Sequence, residues 1–204
     1  MSFFAELLDK SWATQGVAGE INDRSLGPGP AAKTGLKFFL FTLSSMFFLF
    51  IAGYRLRMAE ADWQPIADPA VLWLNTALLI VAGMVMQRAL VAAEKGLIAK
   101  VRNNLTTAGI LTIAFLIGQY SAWQQLNDAG YYVYSGPAAA FFALLTTLHA
   151  VHLTGGLLVW ARATWRAWQG IEVARVKLSV ELCTTYWHYL LVVWFVFFAL
   201  LLST

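Results

Sequence analysis

The chain has three histidines, His149, His152 and His188, and all of them fall inside long apolar stretches together with one carboxylate, Glu181. An ionisable side chain in hydrocarbon is costly, so each of these needs a partner or a task. His149 and His152 form H-x-x-H, three apart on one helix face, a spacing that can present two imidazoles to one metal ion. A zinc or copper centre needs further ligands, and the remaining candidates, His188 and Glu181, belong to a different stretch. Three imidazoles are too few for haem groups plus copper, so a complete redox centre is not expected here. Hydrogen bonding between buried helices is the plainer use. Glu181 and His188 lie seven apart, two helical turns, so they share a face and could form part of a proton relay. Such a relay must cross the membrane, yet the first three apolar stretches contain no Asp, Glu or His. The other polar groups in the apolar stretches include Asn75, Thr76, Gln119 and Gln124.

The elements that must carry these residues follow from composition. Of the 204 residues, 59% are apolar and 12% charged, with a mean hydropathy of +0.63. That charged fraction is about half of what a soluble domain carries. It excludes a disordered chain, and the apolar surface exceeds what one small core could bury. A polytopic membrane protein is the class that remains. The fourteen Lys and Arg give a net charge of +3 but form no stripe, so no nucleic-acid partner is expected. The single cysteine, Cys183, excludes a disulfide framework, and the N-terminus lacks the basic and apolar regions of a cleaved signal.

Crossing the hydrocarbon takes about twenty apolar residues in a helix. Five windows qualify: 36–54, 70–91, 105–126, 138–160 and 180–202. They are too long for barrel strands and do not alternate, so the expected fold is all-α, a membrane bundle of five transmembrane helices. Twelve Lys and Arg fall on the N-terminal segment and the loops after spans two and four, whereas only Arg55 and Arg57 fall on the other side. This asymmetry places the N-terminus in the cytoplasm and the C-terminus outside.

Residues 1–34 read as a cytoplasmic segment and 35–204 as the five-helix body. Phe4, Leu7, Leu8 and Trp12 have helical spacing, which suits either a short interfacial helix or a frayed terminus. Gly27-Pro28-Gly29-Pro30 is expected to turn the chain before span one. Trp63, Trp73, Trp123, Trp160, Trp165 and Trp168 sit near span ends, where indole rings suit the membrane interface. Arg55, Arg57, Arg88 and Arg162 lie at headgroup level, either holding lipid phosphates or snorkelling. Gly155-Gly156 permits close approach of a neighbouring helix.

The most specific stretch is E-L-C-T-T-Y-W-H-Y-L-L-V-V-W, from Glu181 to Trp194. It resembles the closing E-x-x-x-x-Y-W-H-F-V-D-V-V-W of subunit III of the haem-copper respiratory oxidases. Phe141 to His152, F-F-A-L-L-T-T-L-H-A-V-H, is similar to that family's F-F-x-L-T-G-x-H-G-x-H-V. Leu74-Asn75-Thr76, Gly118-Gln119-Tyr120 with Trp123, and Lys33-Thr34-Gly35 before a Phe-rich span are weaker echoes in the same order. The resemblance runs from about residue 33 to the end, and five helices is the number in the short bacterial form. Three family carboxylates are absent: Thr42-Leu43-Ser44-Ser45 has no acid, Ala122 precedes Trp123, and Leu191 stands where the family has Asp.

The resemblance implies an accessory subunit in a bacterial inner membrane. Such a subunit binds no haem or copper itself and takes no direct part in catalysis. It packs beside the catalytic subunit I, with subunit II in the same complex, and it holds phospholipid. On that basis His149, His152, Glu181, Trp187 and His188 form a buried polar seam between helices four and five, with Glu181 accepting from a histidine or from Tyr186. Asn75 and Gln119 lock neighbouring helices. The electron donor stays open between cytochrome c and quinol, and a nitric oxide reductase partner or a stand-alone transporter are the other readings.

Overall fold

A computed structural model describes residues 28–66, 70–170 and 173–203. The segment containing Phe4, Leu7, Leu8 and Trp12 lies outside the described residues. Five helices follow one another: α1 (Pro28–Arg57), α2 (Val71–Glu94), α3 (Ile98–Asp128), α4 (Pro137–Trp168) and α5 (Val173–Leu202). All five are long and apolar enough to cross a membrane. The chain divides into two compact units, Met1–Phe39 and Leu40–Thr204. The second unit holds the helix-to-helix packing.

The windows chosen on hydropathy match the helices closely at one set of ends and fall short at the other. The helices end or begin at Arg57, Val71, Asp128, Pro137 and Leu202, close to the windows. At the opposite ends α1 begins at Pro28, α2 continues to Glu94, α3 begins at Ile98, α4 continues to Trp168 and α5 begins at Val173. The longer of these extensions add about 10 Å of helix beyond the apolar window. They carry most of the Lys and Arg of the basic side. Hydropathy marks where apolar residues stop, but Lys, Arg and Ala are good helix formers and the backbone continues through them. Pro28 and Pro30 therefore do not turn the chain. They occupy the first turn of α1, where a missing N–H goes unnoticed.

Three of the stops, those of α2, α3 and α4, are made by glycine. Gly96, Gly130 and Gly170 adopt φ of 71°, 88° and 78° directly after the C-caps of α2, α3 and α4. Leu97 N donates to Ala92 O at 2.9 Å and Tyr131 N to Leu126 O at 2.9 Å, while Gly96 N and Gly130 N donate to Ala93 O and Asn127 O. These paired bonds close the last turn and need a residue in the left-handed region.

Helices α2, α3, α4 and α5 form a ring in which each packs on the next and α5 returns to α2. From Leu40 onward α1 lies outside this ring and meets α4 and α5 through long side chains. Phe47 contacts His152 and Phe197 edge-on, Tyr54 contacts Phe141, and Ser44 Oγ donates to Tyr189 OH at 3.2 Å. Phe41, Phe48 and Leu49 on its other side are exposed, as suits a face toward lipid or a partner chain.

Arg57 and Asp62 close the start of the loop after α1, with Nη1 donating to Oδ1 at 2.6 Å and Nη2 to Oδ2. The hydrogen bond from Arg57 holds the Asp62 carboxyl below its ordinary range. The pair therefore contributes order above the usual carboxylate pKa and loses it as pH falls through the lowered value. Hydrogen exchange at residues 58–63 should accelerate on acidification in the wild type and be pH-independent, after correction for intrinsic rates, in Asp62→Asn.

Candidate functional site

Several polar groups inside the bundle form joints between helices. Buried positions on α5 recur at intervals of three and four from Val176 to Leu201. Within that stripe Trp187 and Trp194, two turns apart, aim their indole N–H groups at two different helices. Trp187 Nε1 donates to Thr112 Oγ1 of α3 at 3.0 Å, and Trp194 Nε1 donates to Thr76 Oγ1 of α2 at 3.0 Å. Each hydroxyl passes its own proton back one turn, Thr112 to Ala108 O and Thr76 to Leu72 O, both at 2.8 Å. A hydroxyl has one donor and two acceptor sites, so both bonds are made at once. Sequence reasoning misses Thr112, although one signal points to it: two indoles seven apart on an apolar helix need acceptors on the neighbouring helices.

Two glycines make room for further joints. Trp160 Nε1 of α4 donates to Leu105 O of α3 at 2.9 Å. Its ring lies over Gly109, one turn along, where a Cβ would overlap it. Trp160 is thus an interhelical anchor, although its place near a span end suggests an interface ring. Asn75 Nδ2 of α2 donates to Gln119 Oε1 of α3 at 3.3 Å, and the Asn75 amide occupies the space left open by Gly118. Of the pair Gly155-Gly156, only Gly156 receives a neighbour: a Cβ there would meet Tyr186 at 2.7 Å, while Gly155 has nothing within 4 Å.

The expected seam residues separate into different surroundings. His149 is buried among the rings of Phe115, Trp194 and Phe197, and neither ring nitrogen has a hydrogen-bond partner among the described residues. His152 is half-buried, with Nδ1 2.7 Å from Leu148 O, and His188 is half-buried, with Nδ1 2.8 Å from Thr184 O. In each case Nδ1 is assigned the proton, because a carbonyl can only accept. Tyr186 OH donates to His152 O at 2.9 Å, which joins α5 to α4. Glu181 is half-buried on α5. Among the described residues no three of His, Cys, Asp and Glu gather as a metal-ligating group. The H-x-x-H pair faces two environments, so these donors do not fit a haem or copper site.

At the basic end, Arg102 of α3 turns inward. Its Nε donates to Ala167 O at 2.9 Å and its guanidinium lies over the Trp168 ring at 5.5 Å. A cation there meets the partial negative charge at the C-terminus of α4. Arg57 is engaged by Asp62, whereas Arg55, Arg88 and Arg162 are exposed.

A family model described as cytochrome c oxidase subunit III matches residues 29–203, which covers all five helices. The chain belongs to the cytochrome c oxidase subunit III family. Among its subunit III relatives, "Cytochrome c oxidase subunit 3" of Synechocystis sp. (strain ATCC 27184 / PCC 6803 / Kazusa) is 30% identical over 172 residues, covering 81% of this chain and 72% of the relative. The protein of the same name from Thermostichus vulcanus is 30% identical over 172 residues, covering 82% and 84%. "Probable cytochrome c oxidase subunit 3" of Mycobacterium tuberculosis (strain ATCC 25618 / H37Rv) is 25% identical over 126 residues, covering 62% of each. The chain is therefore a multi-pass membrane protein of the subunit III family.

Proposed function

We propose that this chain is a non-catalytic, accessory subunit of a haem-copper terminal oxidase in a bacterial inner membrane. On this reading it stabilises the catalytic subunit I, with subunit II in the same complex. Haem and copper reside in the partners, and no redox centre lies in this chain. The observation that carries the reading is the use of buried polar groups: Trp187, Trp194, Trp160 and Asn75 each form a helix-to-helix bond. The family match gives that rigid scaffold its setting. The basic helix extensions face the cytoplasm, which puts the N-terminus inside and the C-terminus outside. Phospholipid binds along the bundle, with Arg55, Arg88 and Arg162 available to its headgroups.

His149 packs on Trp194 and Phe197 of α5, Tyr186 bonds His152 O, and Trp187 ties α5 to α3; these contacts, with Glu181 and His188 on the same helix, place α5 as the partner needs. Glu181→Gln and His188→Ala should weaken retention of the subunit, or shorten the active lifetime of the complex during turnover. Both should leave the haem spectrum intact. Loss of haem from either variant complex would put redox chemistry in this chain and overturn the reading.

A further inference from the structure

A recess of about 400 Å³ sits at the turn between α2 and α3, lined by Gln87, Arg88, Val91, Lys95, Lys100 and Asn104, with Ala92 and Leu97 completing the wall. We propose that this recess binds the phosphate of an anionic phospholipid, which gives the lipid-binding part of the proposed function a specific place and headgroup charge.

Three observations converge on it. The lining has three cations and no carboxylate, and neither Arg88, Lys95 nor Lys100 has an ion pair among the described residues. Glu94, next to Lys95 in sequence, lies outside the lining. The recess also contains the start of α3, where Leu97 gives no side-chain cap and the N–H groups of Ala99 and Lys100 meet no acceptor among the described residues. Free N–H groups at a helix start favour an anion independently of the side chains.

Third, the wall is amphiphilic along its length. Arg88, Val91, Ala92 and Lys95 follow one face of α2, and Lys100 and Asn104 are one turn apart on α3. Arg88 lies about 10 Å deeper than Lys95 along the helix axis. A soluble phosphate would use only the turn. A phospholipid uses the depth as well: its phosphate meets Lys95, Lys100 and the start of α3, Arg88 reaches up to the same oxygens, and its chains continue past Val91 and Ala92 into the bilayer. Gln87 and Asn104 supply amide donors to the glycerol and ester oxygens.

The test uses the full chain in its purified complex, reconstituted in nanodiscs of phosphatidylcholine with one-tenth phosphatidylglycerol, with retained lipid counted by native mass spectrometry. The wild type should keep phosphatidylglycerol preferentially. Each cation is worth about fivefold in affinity for an anionic lipid. The triple variant Arg88→Gln, Lys95→Gln, Lys100→Gln should therefore lower that preference at least tenfold, and Lys95→Arg with Lys100→Arg should preserve it. Equal retention by wild type and triple variant overturns the proposal, as does displacement of the lipid by millimolar inorganic phosphate, which would make the recess a soluble-anion site. Protection of the three cations from amine- and guanidinium-labelling by a partner chain, with no lipid retained, would assign the recess to protein docking and also overturn it. A chain that keeps phosphatidylglycerol but purifies without a haem partner would leave the site standing and remove the proposed function instead.

Discussion

Gly109→Val should lower the stability of the bundle by about 2–4 kcal/mol, read as a shift in the denaturant midpoint of the solubilised protein. The side chain at 109 would enter the volume now filled by the Trp160 ring. Relieving the overlap means moving either the ring or α4. Forced overpacking of a fitted interface costs about 1–3 kcal/mol. The displaced indole also loses its bond to Leu105 O, and a hydrogen bond between membrane helices is worth about 0.6–1.7 kcal/mol. Gly155→Val is the matched control, since a Cβ at 155 has open space. It should shift the midpoint by less than about 0.5 kcal/mol. Equal effects at the two positions would mean that the α3–α4 contact is not set by Trp160 and Gly109.

Trp194→Ala should be costlier, at about 3 kcal/mol or more, within the range for truncating a buried large aromatic. The Trp194 ring is fully buried, with Phe115 at 5.1 Å and His149 at 5.5 Å between centroids. Lipid outside the bundle is as apolar as the protein interior, so the loss is one of close contact more than of hydrophobic burial. Trp194→Phe and Thr76→Val separate the hydrogen bond from the packing. Each should cost about 1 kcal/mol, and the double variant should cost little more than either alone, because both remove one bond. Full additivity would show that the indole N–H and the Thr76 hydroxyl do not act as a pair.

Much of this architecture is readable from residue types. Windows of apolar residues place all five helices, and one end of each lies where hydropathy changes. The other ends run on because Lys100, Arg102, Arg162 and Arg166 are as comfortable in a helix as in a loop. The left-handed glycines Gly96, Gly130 and Gly170 mark where the backbone turns after α2, α3 and α4. The use of polar groups is harder to read, because it depends on which helices are neighbours. Trp160 has the sequence context of an interface residue and becomes an anchor because Gly109 lies opposite it. Gly155 and Gly156 are adjacent, yet the helix turns them about 100° apart and only Gly156 meets a neighbour. The histidines attract a metal reading by their spacing, but the fold sends His149 into an aromatic core and leaves His152 and His188 bonded to their own helices.

The accessory-subunit assignment is tested most simply by purifying the tagged chain from its native membrane in mild detergent, with a reduced-minus-oxidised spectrum and identification of the co-purifying chains. An accessory subunit of a haem-copper oxidase should bring with it haem absorbance and a large polytopic partner, and the haem should stay with that partner when this chain is stripped away. A colourless, monodisperse preparation of this chain alone, obtained from membranes that contain the oxidase, would contradict the assignment.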